Sequence, residues 1–470
     1  MDLQKSKRLL IILAVVFWAY ATCVYVVSFE QFRIKTVTKD VSSPEYVIGE
    51  VVDGMMLEQA FVSPVDSMTD IHILMATYAR INSGTLHVSL QNEQGDILSQ
   101  TNIDISVLAD NQYVEVHFDN ALSVTKGEKL LLCLSTDGCY AGNAVTLYAG
   151  SGELPYTLNG QESGATLCLR MNGSVSILFY VYYWAIVAGI FLVLLVYTMF
   201  SWRAAKKGKS NGLVSLCTVY SRYSFLIKQL VSRDFKTKYK RSALGMAWSF
   251  MNPLLTMSVQ YVVFSTLFKS DIPNYPVYLL TGIVFFSFFN EAVTMGMTSI
   301  TGNAALIKKV YMPKYIYPVS RVLSSLVNFA FALMPLFLVM LFTRTPFKVS
   351  MLLLIFDIGC MLAFITGMTL LLTTAMTFFQ DTQFLWSVVG MMWQYLTPIF
   401  YPESIIPASI LPFYRLNPLY QFISFARTCI TGGISPAPEA YLSCLLSGAF
   451  FLLLGMAVFK KHQNKFVLYL

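Results

Sequence analysis

Apolar residues recur along this chain with two different periods. Two unbroken apolar runs, Leu9–Val27 and Ser176–Phe200, are each long enough to cross a bilayer as a helix. Between them the pattern changes to short runs with period-two alternation: Thr85–Leu90, Tyr113–Phe118 and Lys129–Leu134. Turn signals at Gln94-Gly95-Asp96, Lys126-Gly127-Glu128 and Thr136-Asp137-Gly138 separate these runs. This spacing predicts an antiparallel β-sandwich over residues 30–174, a length sufficient for one core. Further on, six apolar segments follow: Met246–Phe268, Val277–Ile300, Val319–Phe342, Ser350–Phe378, Leu385–Tyr401 and Tyr441–Phe459.

Two stretches break the simple picture of spans joined by loops. Arg233–Pro253, RDFKTKYKRSALGMAWSFMNP, is basic in its first half and apolar from Ala243. At a bilayer surface its cations lie among anionic head groups before the chain enters the membrane. A plain juxtamembrane anchor has the same look. Between the fifth and sixth core segments, Ile405–Tyr414 and Leu419–Ile430 are too short to cross and are divided by Asn417-Pro418. They read as re-entrant or interfacial helices, whose backbone must pack within protein or line a wet cavity. No repeat relates the halves of the six-span unit, which weakens an inverted-repeat transporter.

Charge sets the orientation. Residues 30–174 hold 18 acids and 7 bases, whereas residues 201–246 hold 11 bases and one acid. Lys5, Lys7 and Arg8 precede the first run, which reads as a signal anchor. The small-x-small Ala19-Tyr20-Ala21 keeps a cleaved signal peptide as the rival reading. Lys308, Lys309 and Lys314 follow the second core segment, and Lys460, Lys461 and Lys465 the sixth. Both termini are therefore expected in the cytoplasm, with the chain multi-pass in the plasma (inner) membrane and residues 30–174 outside. Lys269, Arg344, Lys348, Arg415 and Arg427 fall against this bias. Nucleic-acid binding by the basic block ranks low, because spans flank it on both sides.

The predicted fold class is thus membrane α-helical: two N-terminal spans, a six-span core with outer re-entrant helices, and an inserted extracellular β-sandwich. The domains are 1–29 (signal anchor), 30–174 (β-sandwich), 175–201 (second span), 202–246 (basic linker and amphipathic interface helix) and 247–470 (six-span core).

Candidate chemistry is sparse. The eight cysteines include no CxxC and none of the four histidines lies in a predicted span, so no metal site is expected. Cys133, Cys139 and Cys168 leave one disulfide open, its pairing undetermined. Gly208-Lys209-Ser210 ends like a phosphate-binding loop, but Arg203 stands where that loop needs its first glycine. No ATP site is therefore expected on this chain. The core spans carry only Glu291, Arg321 and Asp357, without histidine, too few for a proton relay. Aromatics are dense instead, and aromatic faces suit the C–H patches of sugar rings. Tyr261, Phe285, Trp393, Tyr395, Tyr401, Asn417 and Pro418 are the candidate path or gate residues, and the Trp393–Tyr401 group beside the outer segment reads as the gate. In the β region Tyr78, Tyr113, Tyr140 and Tyr156 are candidate stacking platforms, though ordinary core or surface roles explain them equally well.

The loop Gly302–Pro318, GNAALIKKVYMPKYIYP, is short, basic and bounded by proline, with Asn303 placed to cap a helix through Lys309. The order of RDFKTKYKRSALGMAWSFMNP, NAALIKKVYMP, FQD after the fourth core span and RLNPLY resembles the type-2 ABC export permeases of lipid-linked polysaccharide, teichoic acid and O-antigen. The resemblance covers about residues 213–470. It implies a homodimer with two separate ATP-binding cassette ATPase subunits, ATP and Mg on those partners, no catalysis on this chain, and contact with membrane lipids. It assigns Asn303, Leu306, Lys308, Lys309, Pro313 and Asp381 to ATPase coupling, and Arg233, Lys240, Leu244, Gly245, Trp248 and Pro253 to the interface helix. The family usually has arginine before the aspartate where this chain has Gln380. The implied function is export of a lipid-linked cell-surface polysaccharide. The alternatives are an exporter of small or lipidic substrates and a receptor sensing through the β region. A membrane glycosyltransferase fits poorly, because the core loops are short and nearly free of acids.

Overall fold

The computed structural model describes residues 3–206, 212–239, 247–267, 272, 274–309, 312–407 and 409–470. Two compact units emerge, Phe32–Tyr180 and the combination of Met1–Gln31 with Val181–Leu470.

The β unit is built on two antiparallel sheets. One joins β1 (Ile34–Asp40), β13 (Leu169–Ser176), β4 (Ser67–Ala76), β9 (Val145–Gly150) and β12 (Thr166–Leu167), with β2 (Tyr46–Val51) on β9 and β7 (Gln112–Ser123) on β4. The other runs β11 (Gln161–Glu162), β10 (Tyr156–Leu158), β3 (Met56–Val62), β8 (Lys129–Asp137), β5 (Thr85–Asn92) and β6 (Ile97–Asp104). Alternation decides the register: Leu86, Val88 and Leu90 of β5 are buried while the residues between them are not. They join Leu57 and Leu132 against Ile71, Ile73, Leu147 and Met171 of the opposite sheet in one core. Cys133, Cys139 and Cys168 are free buried thiols, so none of the three forms a disulfide. Burial raises the pKa of each and keeps it an inert core residue. Tyr156 is buried in the same core, whereas Tyr78 and Tyr140 are exposed and Tyr113 lies under the Arg170 guanidinium.

The helical unit contains α1 (Leu3–Arg33), α2 (Phe179–Lys206), α3 (Gly212–Tyr239), α4 (Ala247–Leu267), α5 (Tyr275–Met297), α6 (Ala304–Lys309), α7 (Ile316–Phe342), α8 (Leu354–Phe378), α9 (Thr382–Leu396), α10 (Leu411–Arg415), α11 (Pro418–Arg427), α12 (Pro438–His462) and α13 (Phe466–Tyr469). Among the described residues, six helical stretches are long and apolar enough to cross a membrane: Ile11–Arg33 within α1, Phe179–Ala204 within α2, and those that hold α5, α7, α8 and α12. The apolar stretch within α4, Phe250–Phe264, is shorter. The fifth core segment is also shorter than the sequence pattern predicts. Its helix, α9, stops at Leu396 after 15 residues, about 22 Å against a hydrocarbon core of about 30 Å. The cause is Pro398: the residue before a proline is driven from helical backbone, and Thr397 is extended at φ −98°, ψ 129°.

Small residues bring α8 and α12 into backbone contact. A Cβ on Gly367 would collide with the Phe451 carbonyl, one on Gly455 with the Gly367 carbonyl, and one on Gly448 with the Cys360 carbonyl. Close helix approach through glycine is the packing mode that membranes favour.

Candidate functional site

The basic half of the Arg233–Pro253 stretch forms the end of α3. Lys240, Leu244 and Gly245 lie outside the described residues. Asp234 of α3 turns inward, its side chain only 3% exposed, and meets Arg321 of α7 at 3.0 Å. Arg233 reaches the same carboxylate at 3.1 Å from a half-exposed position, and Ser324 donates to it at 3.4 Å. One turn on, Lys238 donates to Glu291 of α5 at 2.8 Å, and Asn328 of α7 donates to the same oxygen. Asp234 and Glu291 are thus each matched by a cation and an uncharged donor, the condition for keeping a charge in an apolar bundle. Asp357 of α8, by contrast, is wholly buried with the Cys444 thiol beside it at 3.9 Å and no ion-pair partner among the described residues. Glu291 is a tie between helices and also a wall of two cavities.

The first cavity, about 350 Å³, lies between α3, α4, α5 and α7; Lys238, Trp248, Asn252, Pro253, Glu291 and Asn328 line it. The second, about 750 Å³ and more open, is lined by Arg233, Asp234, Lys238, Glu291, Asn303 and Arg321. Lys238 and Glu291 belong to both walls. The polar route they form runs from the outside of α3 to the start of α4. It also brings Arg233 of the first motif to Asn303 of the loop motif.

Asn303 does not cap α6 as its position in the sequence predicts. The chain enters α6 through a tight turn, Thr301–Asn303, so the backbone around it is already helical. The Asn303 amide instead donates back to the Ser299 carbonyl at 2.7 Å, just beyond the end of α5. Within α6, Ile307 is buried while Leu306, Lys308 and Lys309 face outward. Ile307 joins Ile300, Tyr317, Leu370, Phe459 and Phe466 in one apolar cluster. Lys314 locks the loop from the other side, donating to the Gln463 carbonyl at 2.6 Å. Burial holds the Lys314 ammonium below its ordinary range. Pro313 lies just before it, partly buried. Asp381 is exposed in the α8–α9 corner, next to Phe378, which packs on Phe466 and Tyr469. The loop, this corner and the C-terminal helices therefore share one basic end of the bundle, bearing Lys308, Lys309, Lys460 and Lys461.

At the break after α9, Trp393 Nε1 donates to Asn417 Oδ1 at 2.8 Å, and the same oxygen accepts the Leu419 N–H at the start of α11. Asn417 Nδ2 donates to Thr397 Oγ1 at 3.0 Å, and Pro418 opens the helix. Trp393, Asn417 and Pro418 border an apolar groove of about 500 Å³. Tyr401 donates to the Tyr395 carbonyl at 2.9 Å. Tyr261 is partly exposed beside Tyr275, with ring centres 5.9 Å apart, whereas Phe285 is wholly buried edge-on to Phe329. Arg427 holds this region from beneath. It donates to the carbonyls of Pro398 (2.6 Å), Ile399 (2.8 Å) and Tyr278 (3.3 Å), with its guanidinium over the Tyr278 ring. The Pro398 and Ile399 carbonyls lie where α9 has ended and helical partners are gone, so the guanidinium replaces a lost ladder there and ties it to the first turn of α5 through Tyr278.

Residues 225–430 match the family described as ABC-2 type transporter. A Klebsiella pneumoniae protein described as "O-antigen export system permease protein RfbA" is 30% identical over 246 residues, 51% of this chain and 93% of its own length. A Myxococcus xanthus protein of the same description is 27% identical over 264 residues, 54% of this chain and 98% of its own. The chain belongs to the ABC-2 type transporter family. As an ABC-2 permease it is an integral membrane transport subunit, and almost half of its length has no counterpart in these relatives.

Several residues that build the permease site carry little signal in the sequence. Asp234 was one acid in a basic run, and Asn328 one amide in an apolar helix. Arg427 had a usable signal, a cation inside a short apolar segment, which in a membrane protein marks a bonded position. Its partners, three backbone carbonyls, carry none. Among the described residues, no group of three or more His, Cys, Asp or Glu side chains is arranged to hold a metal.

Proposed function

We propose that this ABC-2 permease exports a lipid-linked cell-surface polysaccharide of the O-antigen, teichoic acid or capsule type, driven by ATP hydrolysis on separate ATPase subunits. The observation that carries the reading is the cleft in which Arg233 and Lys238 of α3 meet Asn303 beside the coupling loop. An anionic lipid head group approaching the membrane surface meets the cations of α3 first. The same cleft borders the loop whose exposed Leu306, Lys308 and Lys309 would press on an ATPase. Motion imposed on α6 is carried to the α5 and α7 ends by the buried Ile307 cluster. The working unit is a homodimer with two ATPases, in which ATP binding biases one of two arrangements of the helical units. The aromatic corner of Trp393, Tyr395 and Tyr401 is the outer gate, opposite the basic end in the cytoplasm of a bacterium. The acidic β unit faces outward. The relatives described as O-antigen permeases support the polysaccharide class over small-molecule cargo.

Depletion of the chain in its native host tests this. Surface polymer should fall while the lipid-linked glycan accumulates on the inner leaflet. Unchanged surface polymer, with no intracellular glycan, would contradict the proposal.

A further inference from the structure

The structure joins α1, which precedes the matched family region, to the heart of the permease core by two polar contacts. The first is a closed set of three hydroxyls. Ser435 Oγ donates to Ser28 Oγ at 2.7 Å, Tyr441 Oη lies 2.9 Å from Ser435 Oγ, and Ser28 Oγ lies 3.2 Å from Tyr441 Oη. Ser28 has no exposed surface and Ser435 only 2%. The second contact is at the start of α8. That helix has leucine at its N-cap and no capping side chain of its own. Tyr20 Oη of α1 accepts the Phe356 N–H at 3.1 Å and donates to the Leu353 carbonyl at 3.5 Å, where the short helical turn Val349–Leu353 runs into α8. A tyrosine from a distant helix thus bonds the backbone on both sides of that junction.

Both contacts converge on the seat of α11. Phe356 and Tyr441 pack on each other, with ring centres 5.3 Å apart, and both pack on Phe425 of α11 at 6.0 and 4.9 Å. Ser435 follows the wide turn Thr428–Gly432 by which the chain leaves α11. On its other side α1 is braced by α2, through stacked Trp18 and Trp184, stacked Phe17 and Phe191, and the Tyr183 hydroxyl donating to the Ala21 carbonyl at 2.8 Å. A lipid-facing accessory helix needs no such contacts, because hydroxyls are costly in hydrocarbon unless paired.

We propose that Tyr20 and Ser28 are positioning residues of the permease. Through Phe356, Ser435 and Tyr441 they hold the socket in which α11 sits, so that the outer re-entrant segment is set by the N-terminal helix as well as by the core. The proposal requires only that the chain is an ABC-2 permease, not that its cargo is a polysaccharide.

Hydrogen exchange on the full chain in nanodiscs, comparing wild type with Tyr20→Phe and Ser28→Ala, tests it. Tyr20→Phe keeps the ring and removes only the hydroxyl, with its bonds to the Phe356 N–H and the Leu353 carbonyl. Exchange should quicken about tenfold in the peptide containing Phe356 and more weakly across residues 418–441, with α5 and α7 unchanged. Ser28→Thr, which keeps the hydroxyl, should restore protection at residues 433–441. Unchanged exchange at Phe356 and Tyr441 in both variants would overturn the proposal, as would equal acceleration throughout the core. If Ser28→Ala yields no folded protein, Tyr441→Phe reads the same junction from the other side, with the same outcomes.

Discussion

Asp234 shows how this bundle keeps charge. A carboxylate that is 3% exposed costs several kcal/mol of lost hydration unless partners replace water. Arg321, Arg233 and Ser324 do so here, but not equally. Arg321 is mostly covered, at 24% exposure, whereas Arg233 is 47% exposed and its attraction is screened. Arg321→Ala should therefore destabilise the chain by about 3 kcal/mol, because it leaves the buried charge with only the half-exposed Arg233 as a cation. Arg233→Ala should cost no more than about 1 kcal/mol. Denaturation in detergent compares the two, and equal losses would contradict this ranking. Asp234 did not stand out in the sequence. Arg321 was one of three scattered membrane charges, and what makes it significant is a helix about ninety residues earlier in the chain.

At the level of elements, much was legible where a face repeats. The alternation at Thr85–Leu90 and Tyr113–Phe118 matches the strands β5 and β7, and in β5 every second residue is buried. Continuous apolar runs likewise match α5, α7 and α8, which bilayer thickness makes long. The end of α9 was misread for the opposite reason: apolar composition continues to Tyr401, and only the backbone limit imposed by Pro398 stops the helix. The capping of Asn303 was misread because local pattern does not show that the turn before α6 is already helical. The junction of α1 with α8 and α12 leaves no local pattern at all. Within the β unit, turns and edges are held by carboxylates. Glu45 is held by Ser151, Glu50 by Arg80 and Gly142, Asp104 by Ser106, and Asp110 chiefly by the Thr77 N–H. Each has its pKa lowered from ordinary values of 4.5 for glutamate and 3.8 for aspartate. A carboxyl with a lower pKa folded than unfolded contributes fully above its unfolded value and loses that contribution as the pH falls through the folded one. Thermal unfolding of the full chain, followed by a fluorophore at exposed Tyr140, should shift to lower temperature as the pH drops from 5 to about 3. A flat profile would show that these bonds do not stabilise the fold.

Over the whole molecule, the helical unit has two polar regions of different construction. At the basic end, ion pairs and cavities link α3, α5 and α7 to the loop containing α6. At the break after α9, Arg427, Asn417 and Trp393 hold a broken backbone with neutral hydrogen bonds and a capped guanidinium. A permease driven by a separate ATPase needs a stiff contact at one end and an adjustable passage at the other, and our proposal assigns these regions to those tasks. The most direct test is co-purification with whichever ATPase is encoded beside it, followed by vanadate-sensitive hydrolysis with and without Lys308→Glu and Lys309→Glu. These two lysines are exposed on α6 and absent from the buried cluster, so charge reversal should leave the fold intact. The account predicts a stable complex whose ATPase activity falls severalfold in the double variant. A well-folded permease that recovers no ATPase, or a complex indifferent to both reversals, would contradict it.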